Sequence, residues 1–184
     1  DNLVRFDAYL RDIDLAMQHR DLRTKYFEGQ MSVASTVVGA LTQGTGYIEL
    51  SSIAGVAGEP REVKLQAGRT DLARSVAYQG LVFASGMLGN RDTSGALVPD
   101  SFGDMGAQFD LAAARTEAIL AEHGSSLDDT VRLDIYVKNP YRRAQIIKWV
   151  KDRFGDNAPA CNIYGVELEP TAEVELTAIA VAQS

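Results

Sequence analysis

PACNIYGVELEPTAEVELTAIAVA, residues 159–182, has a second version near the start of the chain. Laid without a gap over VASTVVGALTQGTGYIELSSIAGV, residues 33–56, it matches at Ala34/Ala160, Gly39/Gly165, Thr45/Thr171, Glu49/Glu175, Leu50/Leu176, Ile53/Ile179 and Ala54/Ala180. With one residue more of offset, DNLVRFDAYLRD from Asp1 lies on DDTVRLDIYVKN from Asp128. That alignment pairs Val4/Val131, Arg5/Arg132, Asp7/Asp134 and Tyr9/Tyr136, with Phe27 on Phe154 further on. Polar as well as apolar positions agree, and the single indel falls in a loop. Residues 1–56 therefore read as a copy of the last third of the chain, and such a repeat outranks any single-residue signal.

Composition narrows the function classes. A chain of 184 residues, 46% hydrophobic and 23% charged, has the balance of a globular protein with a real core. A net charge of −7 argues against nucleic acid as a partner, because a phosphate-binding surface needs clustered Lys and Arg. No apolar run approaches the roughly 20 residues of a membrane span, and the N-terminal residues lack the layout of a signal peptide. Cys161 is the single cysteine, so no internal disulfide forms and the cytoplasm is the expected location. His19, His123 and Cys161 have no metal-ligand spacing; neither metal nor cofactor is expected.

In chain order, Val4, Phe6, Ala8 and Leu10 alternate with polar neighbours, which predicts a strand. Asp12 caps a helix whose apolar stripe is read as Leu15, His19, Leu22 and Tyr26, with His19 as a packed residue at the position of Ile146. Gly29 ends that helix, and strands are predicted over residues 34–41 and 47–56. AGEPRE, residues 57–62, reads as a linker. Beyond it come three strands, within 63–65, 74–77 and 81–86, then a helix over about 104–123 with Met105, Phe109, Ala112, Ile119 and Leu120 inward. Gly124 suits its left-handed cap, and His123 sits favourably in its last turn. The repeated unit closes the chain: strand 131–137, a helix capped by Asn139 with Pro140 in its first turn, and two strands. The order βββαβαββ in 63–184 predicts an α+β fold with helices on one sheet face, preceded in 1–56 by a βαββ half-domain.

LVFASGMLG (81–89), the helix and strand AAARTEAILAEHGSSLDDTVRLDIYV and the closing PACNIYGV…AEVELTAIAVA occur in the order of a known family. The chain resembles the RidA/YjgF reactive-intermediate deaminases, whose fold is chorismate-mutase-like. The resemblance covers about 60–184 in full and 1–56 in part. It implies trimers with clefts between subunits, no metal or organic cofactor, and hydrolysis of small enamines or imines to carbonyl compounds and ammonia. It also implies site residues: Glu175 as the glutamate that handles water, with Glu49 its counterpart in the first copy, and Ser85 with Gly86 lining the cleft. Where the deaminating branch carries a carboxylate-clamping arginine, this chain has Cys161, and Ser35 in the first copy. The family's early tyrosine corresponds to Leu72 and its helix asparagine to Ile147.

Cys161 is read as a small buried hydrophobe, a thiol shaping the pocket or a nucleophile, the last without a histidine aligned near it as a base, and Arg74 as a replacement cation from a new direction. Two functions follow: a RidA-like hydrolase of a small unsaturated nitrogen compound, or a non-catalytic small-molecule-binding protein or scaffold on the same fold. The half-domain is expected to occur docked, in a trimer-like homo-oligomeric ring or against a separate polypeptide that supplies its missing half.

Overall fold

The computed structural model describes residues 2–26, 32–67 and 72–183. The Phe27/Phe154 pairing and the helix stop at Gly29 lie outside them in part or whole. Strand β1 (Leu3–Leu10) buries Val4, Ala8 and Leu10 of its predicted row, but Phe6 of that row is half-buried and Arg5 and Asp7 of the alternate row are buried, because the polar row packs against the larger sheet. Asp12 then turns the chain, its carboxylate accepting the Asp14 amide at 2.9 Å, and α1 (Ala16–Tyr26) follows a single 3-10 turn. Only the first half of its predicted stripe faces inward. Leu22 and Tyr26 are exposed, His19 is half-buried, and the buried residue is Arg23. Ala16, His19, Arg20 and Arg23 form the inward side because this helix borders an open cleft.

Strands β2 (Val37–Gly39) and β3 (Ile48–Ala54) flank β1, giving the order β2-β1-β3. β2 is shorter than predicted; Ala34 reaches β1 only through an isolated bridge to Arg5. The larger sheet runs β4 (Glu62–Leu65), β5 (Ala73–Tyr78), β6 (Leu81–Ala84), β10 (Val174–Val181), β8 (Thr130–Val137), β9 (Ala160–Gly165), with the short β7 (Met87–Leu88) also on β10. α2 (Met105–Ala121) starts on Asp104, which accepts the Gly106 and Ala107 amides. It ends before Gly124, whose φ of +67° suits a residue without Cβ. α3 (Arg143–Phe154) follows Asn139 and Pro140. Both helices pack on one face of the larger sheet in a single core, where Phe109 stacks on Trp149 at 4.5 Å. This is the expected α+β architecture. Among the described residues no helix is long and apolar enough to cross a membrane.

The two sheets share a pairing pattern. β1 is parallel to β2 and antiparallel to β3, as β8 is parallel to β9 and antiparallel to β10. Register agrees residue by residue: Tyr9 faces Glu49 and Ala8 faces Leu50, while Tyr136 faces Glu175 and Ile135 faces Leu176.

Candidate active site

The sheets meet along a seam that combines apolar packing, Val4 and Ala34 against Ala73, Val76 and Phe83, and Val38 with Tyr136 and Leu168, with a set of buried polar contacts. Arg5, buried in it, donates from Nε to Asp7 Oδ2 at 2.6 Å, from Nη2 to Thr177 Oγ1 at 3.1 Å and from Nη1 to the Ala84 carbonyl at 3.3 Å. Asp7 in turn accepts the Thr36 amide at 2.9 Å. Ser85 Oγ accepts the Ser35 amide at 2.8 Å and donates to the Ala73 carbonyl, and the Gly86 amide donates to the Ser35 carbonyl at 3.1 Å. Further along, Gly39 and Glu167 exchange both backbone bonds. Buried polar groups are thus satisfied across the seam, which fixes the two sheets against each other.

Where the seam opens it leaves a cleft of about 480 Å³ between α1 and β2 on one side and β7, β10 and the turn at Gly86 on the other. Met17, Val37, Leu72, Leu88 and Leu168 give it apolar walls. Glu175 lies in the wall, 5% exposed, with no hydrogen-bond or ion-pair partner for its carboxyl among the described residues. Burial first, then the charges of Asp7 and Glu169, push its pKa up to about 8. At neutral pH the carboxyl is therefore mostly protonated. Gly86 makes room for it: a Cβ at that position would overlap Glu175 Oε1.

The opposite wall is α1. His19 presents a ring whose Nδ1 is buried without a hydrogen-bond partner, and burial with the nearby Arg23 charge lowers its pKa. Arg20 also lines the cleft, and Arg23 donates from Nη1 to Ser35 Oγ at 3.0 Å. A guanidinium thus stands beside Ser35, the residue at the strand position where the resemblance implies an arginine, but it comes from the helix.

Several expected site residues lie elsewhere. Cys161 is exposed on β9, away from the cleft, and is no core hydrophobe; part-burial and Asp134 raise its thiol pKa, which keeps it a poor nucleophile. It is displaced because the cleft uses β2 of the first sheet and not β9 of the second. Arg74 is turned outward into an ion pair with Glu122 at 2.8 Å and supplies no cation to the site. Glu49 sits on fully exposed β3, its carboxylate accepting the Gln43 amide. Ser85 spends its hydroxyl, and Gly86 its N–H, on the seam, so neither donor faces a ligand. Only Glu175 and Gly86 of the expected residues line the cleft, joined by Leu72 and Ser35.

His19, Arg20 and Arg23 were not singled out as site residues from the sequence. The signal was there: the repeat alignment sets Arg20 at the helix position of Ile147, so the wall's chemistry was to be read from the first copy. His123, by contrast, is explained by structure alone, buried with Nε2 2.8 Å from Ser75 Oγ. Among the described residues no group of three or more His, Cys, Asp or Glu could hold a metal ion.

A family model described as Endoribonuclease L-PSP matches residues 66–182, more than half of the chain. The chain belongs to the YjgF/RidA family. Among solved structures, Rv2704 from Mycobacterium tuberculosis, described as a member of the YjgF/YER057c/UK114 family, is 26% identical with a TM-score of 0.53, covering 66% of this chain and 99% of its own. Yeast Mmf1 is 21% identical with a TM-score of 0.55, over 66% of this chain and 92% of its own. The Escherichia coli YjgF gene product is 20% identical with a TM-score of 0.53, over 66% and 94%. The last two likenesses carry the fold alone. Comparison with curated protein sequences finds no match. In this YjgF/RidA chain the matched region supplies one wall of the cleft, and residues before it supply the other.

Proposed function

We propose that this YjgF/RidA protein hydrolyses a small enamine, imine or related unsaturated nitrogen compound in the cleft between its two sheets, with Glu175 as the proton-transfer group. The observation that carries the reading is the Glu175 carboxyl: buried, unpartnered and facing an open cavity, where a merely structural carboxylate would be hydrogen-bonded or paired. Its raised pKa suits a group that gives a proton first and takes one back later.

In the proposed sequence the protonated carboxyl gives its proton to the enamine carbon, leaving an iminium. Water adds to the iminium carbon as the Glu175 carboxylate accepts a water proton. The carbinolamine then breaks its C–N bond as its hydroxyl proton passes to the nitrogen, which leaves as ammonia, and the C–O bond becomes a carbonyl. One water is consumed and Glu175 ends protonated as it began. The cleft stays open to the water that the reaction consumes, and its mixed lining, Arg20 and Arg23 with Asp14 and Glu169 between apolar walls, suits a small polar substrate.

Ammonia release from a panel of small enamines and imines generated in situ tests this. Wild type is expected to release ammonia above the buffer rate, with the rate falling above pH ~8 as Glu175 ionises. Glu175→Gln is expected to lose about 10²- to 10⁴-fold. A panel without turnover, or a Glu175→Gln variant at the wild-type rate, would overturn the hydrolase reading and leave the cleft a binding site.

A further inference from the structure

β3 is the outer strand of its sheet, hydrogen-bonded to β1 along one edge. All of its residues are exposed, including Ile48 at 40%, Leu50 at 55% and Ile53 at 37%, with Tyr47 and Val56 exposed beside them. An open apolar strand edge of this kind is a template for pairing, and proteins normally cover it.

The same chain displays what covers such a strand. β10 holds the register on β8 that β3 holds on β1. On β10, Leu176, Ala178 and Ala180 are buried in the core that α2 closes. Their counterparts Leu50, Ser52 and Ala54 are exposed. The far edge of β10 is paired to β6 through Ile179 and Phe83 and to β7 through Leu176 and Met87. The corresponding edge of β3 carries no strand among the described residues.

We infer that β3 is the docking edge for a strand–strand–helix segment built like residues 73–121. Its inner strand pairs antiparallel with β3 at Ile53 and Ala54, and its helix lies over Leu50, Ser52 and Ala54. The occupant is not a second copy of this chain, because β5, β6 and α2 of any copy are already committed to its own β10. Occupation would also enclose Glu49, which holds the register position of Glu175. The inference is independent of the hydrolysis proposed above.

A photo-cross-linking residue placed at position 50, with position 41 as the exposed control, tests it in cells that make the protein naturally. The expected product is a cross-link from position 50 and not 41, into a segment whose sequence shows two alternating strands followed by an amphipathic helix. In the complex isolated from those cells, β3 amides are expected to exchange at least 10-fold more slowly than in the complex carrying Leu50→Lys. A cross-link to β3 of a second copy would overturn the inference. So would a Leu50→Cys thiol that reacts in that complex as fast as Leu41→Cys.

Discussion

Glu175 and Gly86 act as one unit. The glycine's φ is unremarkable; what its missing Cβ provides is space, since an added methyl would meet the Glu175 carboxyl and come 2.9 Å from Thr36 Oγ1. Gly86→Ala is expected to swing the carboxyl out of position, losing on the order of 10²-fold in activity for a stability cost of about 1 to 3 kcal/mol, read from paired kinetics and urea melts. The carboxyl's own titration gives a second test. The native state keeps a proton that the unfolded chain releases near the ordinary 4.5, because burial lifts the folded pKa to about 8. Its contribution is therefore complete below about 4.5, declines as pH rises, and is gone above about 8. Glu175→Gln is expected to flatten that part of the stability profile and to exceed wild type in stability at pH 9. Melts at matched ionic strength from pH 5 to 9 that keep the same slope in both proteins would contradict the assignment.

The strands Leu3–Leu10 and Thr130–Val137 carry the same Arg-x-Asp motif in different surroundings. Arg5 and Asp7 are both buried in the seam, while Arg132 keeps its side chain 47% exposed and pairs at 3.0 Å with Asp134, which is buried and also accepts from Asn162 Nδ2 at 2.7 Å. Removing Asp7's guanidinium partner strands a buried charge, whereas removing the half-exposed Arg132 leaves Asp134 with the Asn162 donor. Arg5→Ala is expected to destabilise by about 3 to 5 kcal/mol and Arg132→Ala by less, about 1 to 2 kcal/mol. Equal losses in denaturant melts would mean the seam is solvated. The element order was legible in the sequence because capping residues such as Asp12, Asn139 and Asp104, and the alternation of β1 and β8, are local signals. The inward face of α1 was not. A stripe through Leu15, Leu22 and Tyr26 assumes an apolar sheet beneath the helix, and which side of α1 meets the rest depends on long-range contacts that helical periodicity does not encode. The same limit misplaced Cys161 and Arg74, since matching a family position does not say which of the two aligned segments builds the cleft. Glu175 was legible because its position in β10 fixes its cleft wall whichever copy faces it.

At the scale of the whole molecule the cleft exists only while the two sheets stay docked, as one wall comes from α1 and β2 and the other from β7 and β10. The docking depends on close backbone approach at Gly39, whose amide donates to the Glu167 carbonyl at 2.9 Å while the Glu167 amide donates back. A Cβ on Gly39 would lie 2.6 Å from Glu167 Cβ and 3.1 Å from Ile13 Cβ, so a branched side chain there must push the strands apart. β1 is too sparsely covered to hold its sheet together alone: β3 is exposed throughout, and a three-stranded sheet needs a packed face for stability. Gly39→Val is therefore expected to turn one cooperative unfolding transition into two, the β2-β1-β3 sheet melting first. Hydrogen exchange should show β1 amides losing protection while those of β8 and β10 keep theirs, because the core under α2 and α3 contains no residue from the smaller sheet. Ligand binding and turnover should disappear with the first transition. Activity that survived loss of β1 protection would place the working site wholly within residues 62–183 and refute a cleft shared between the sheets.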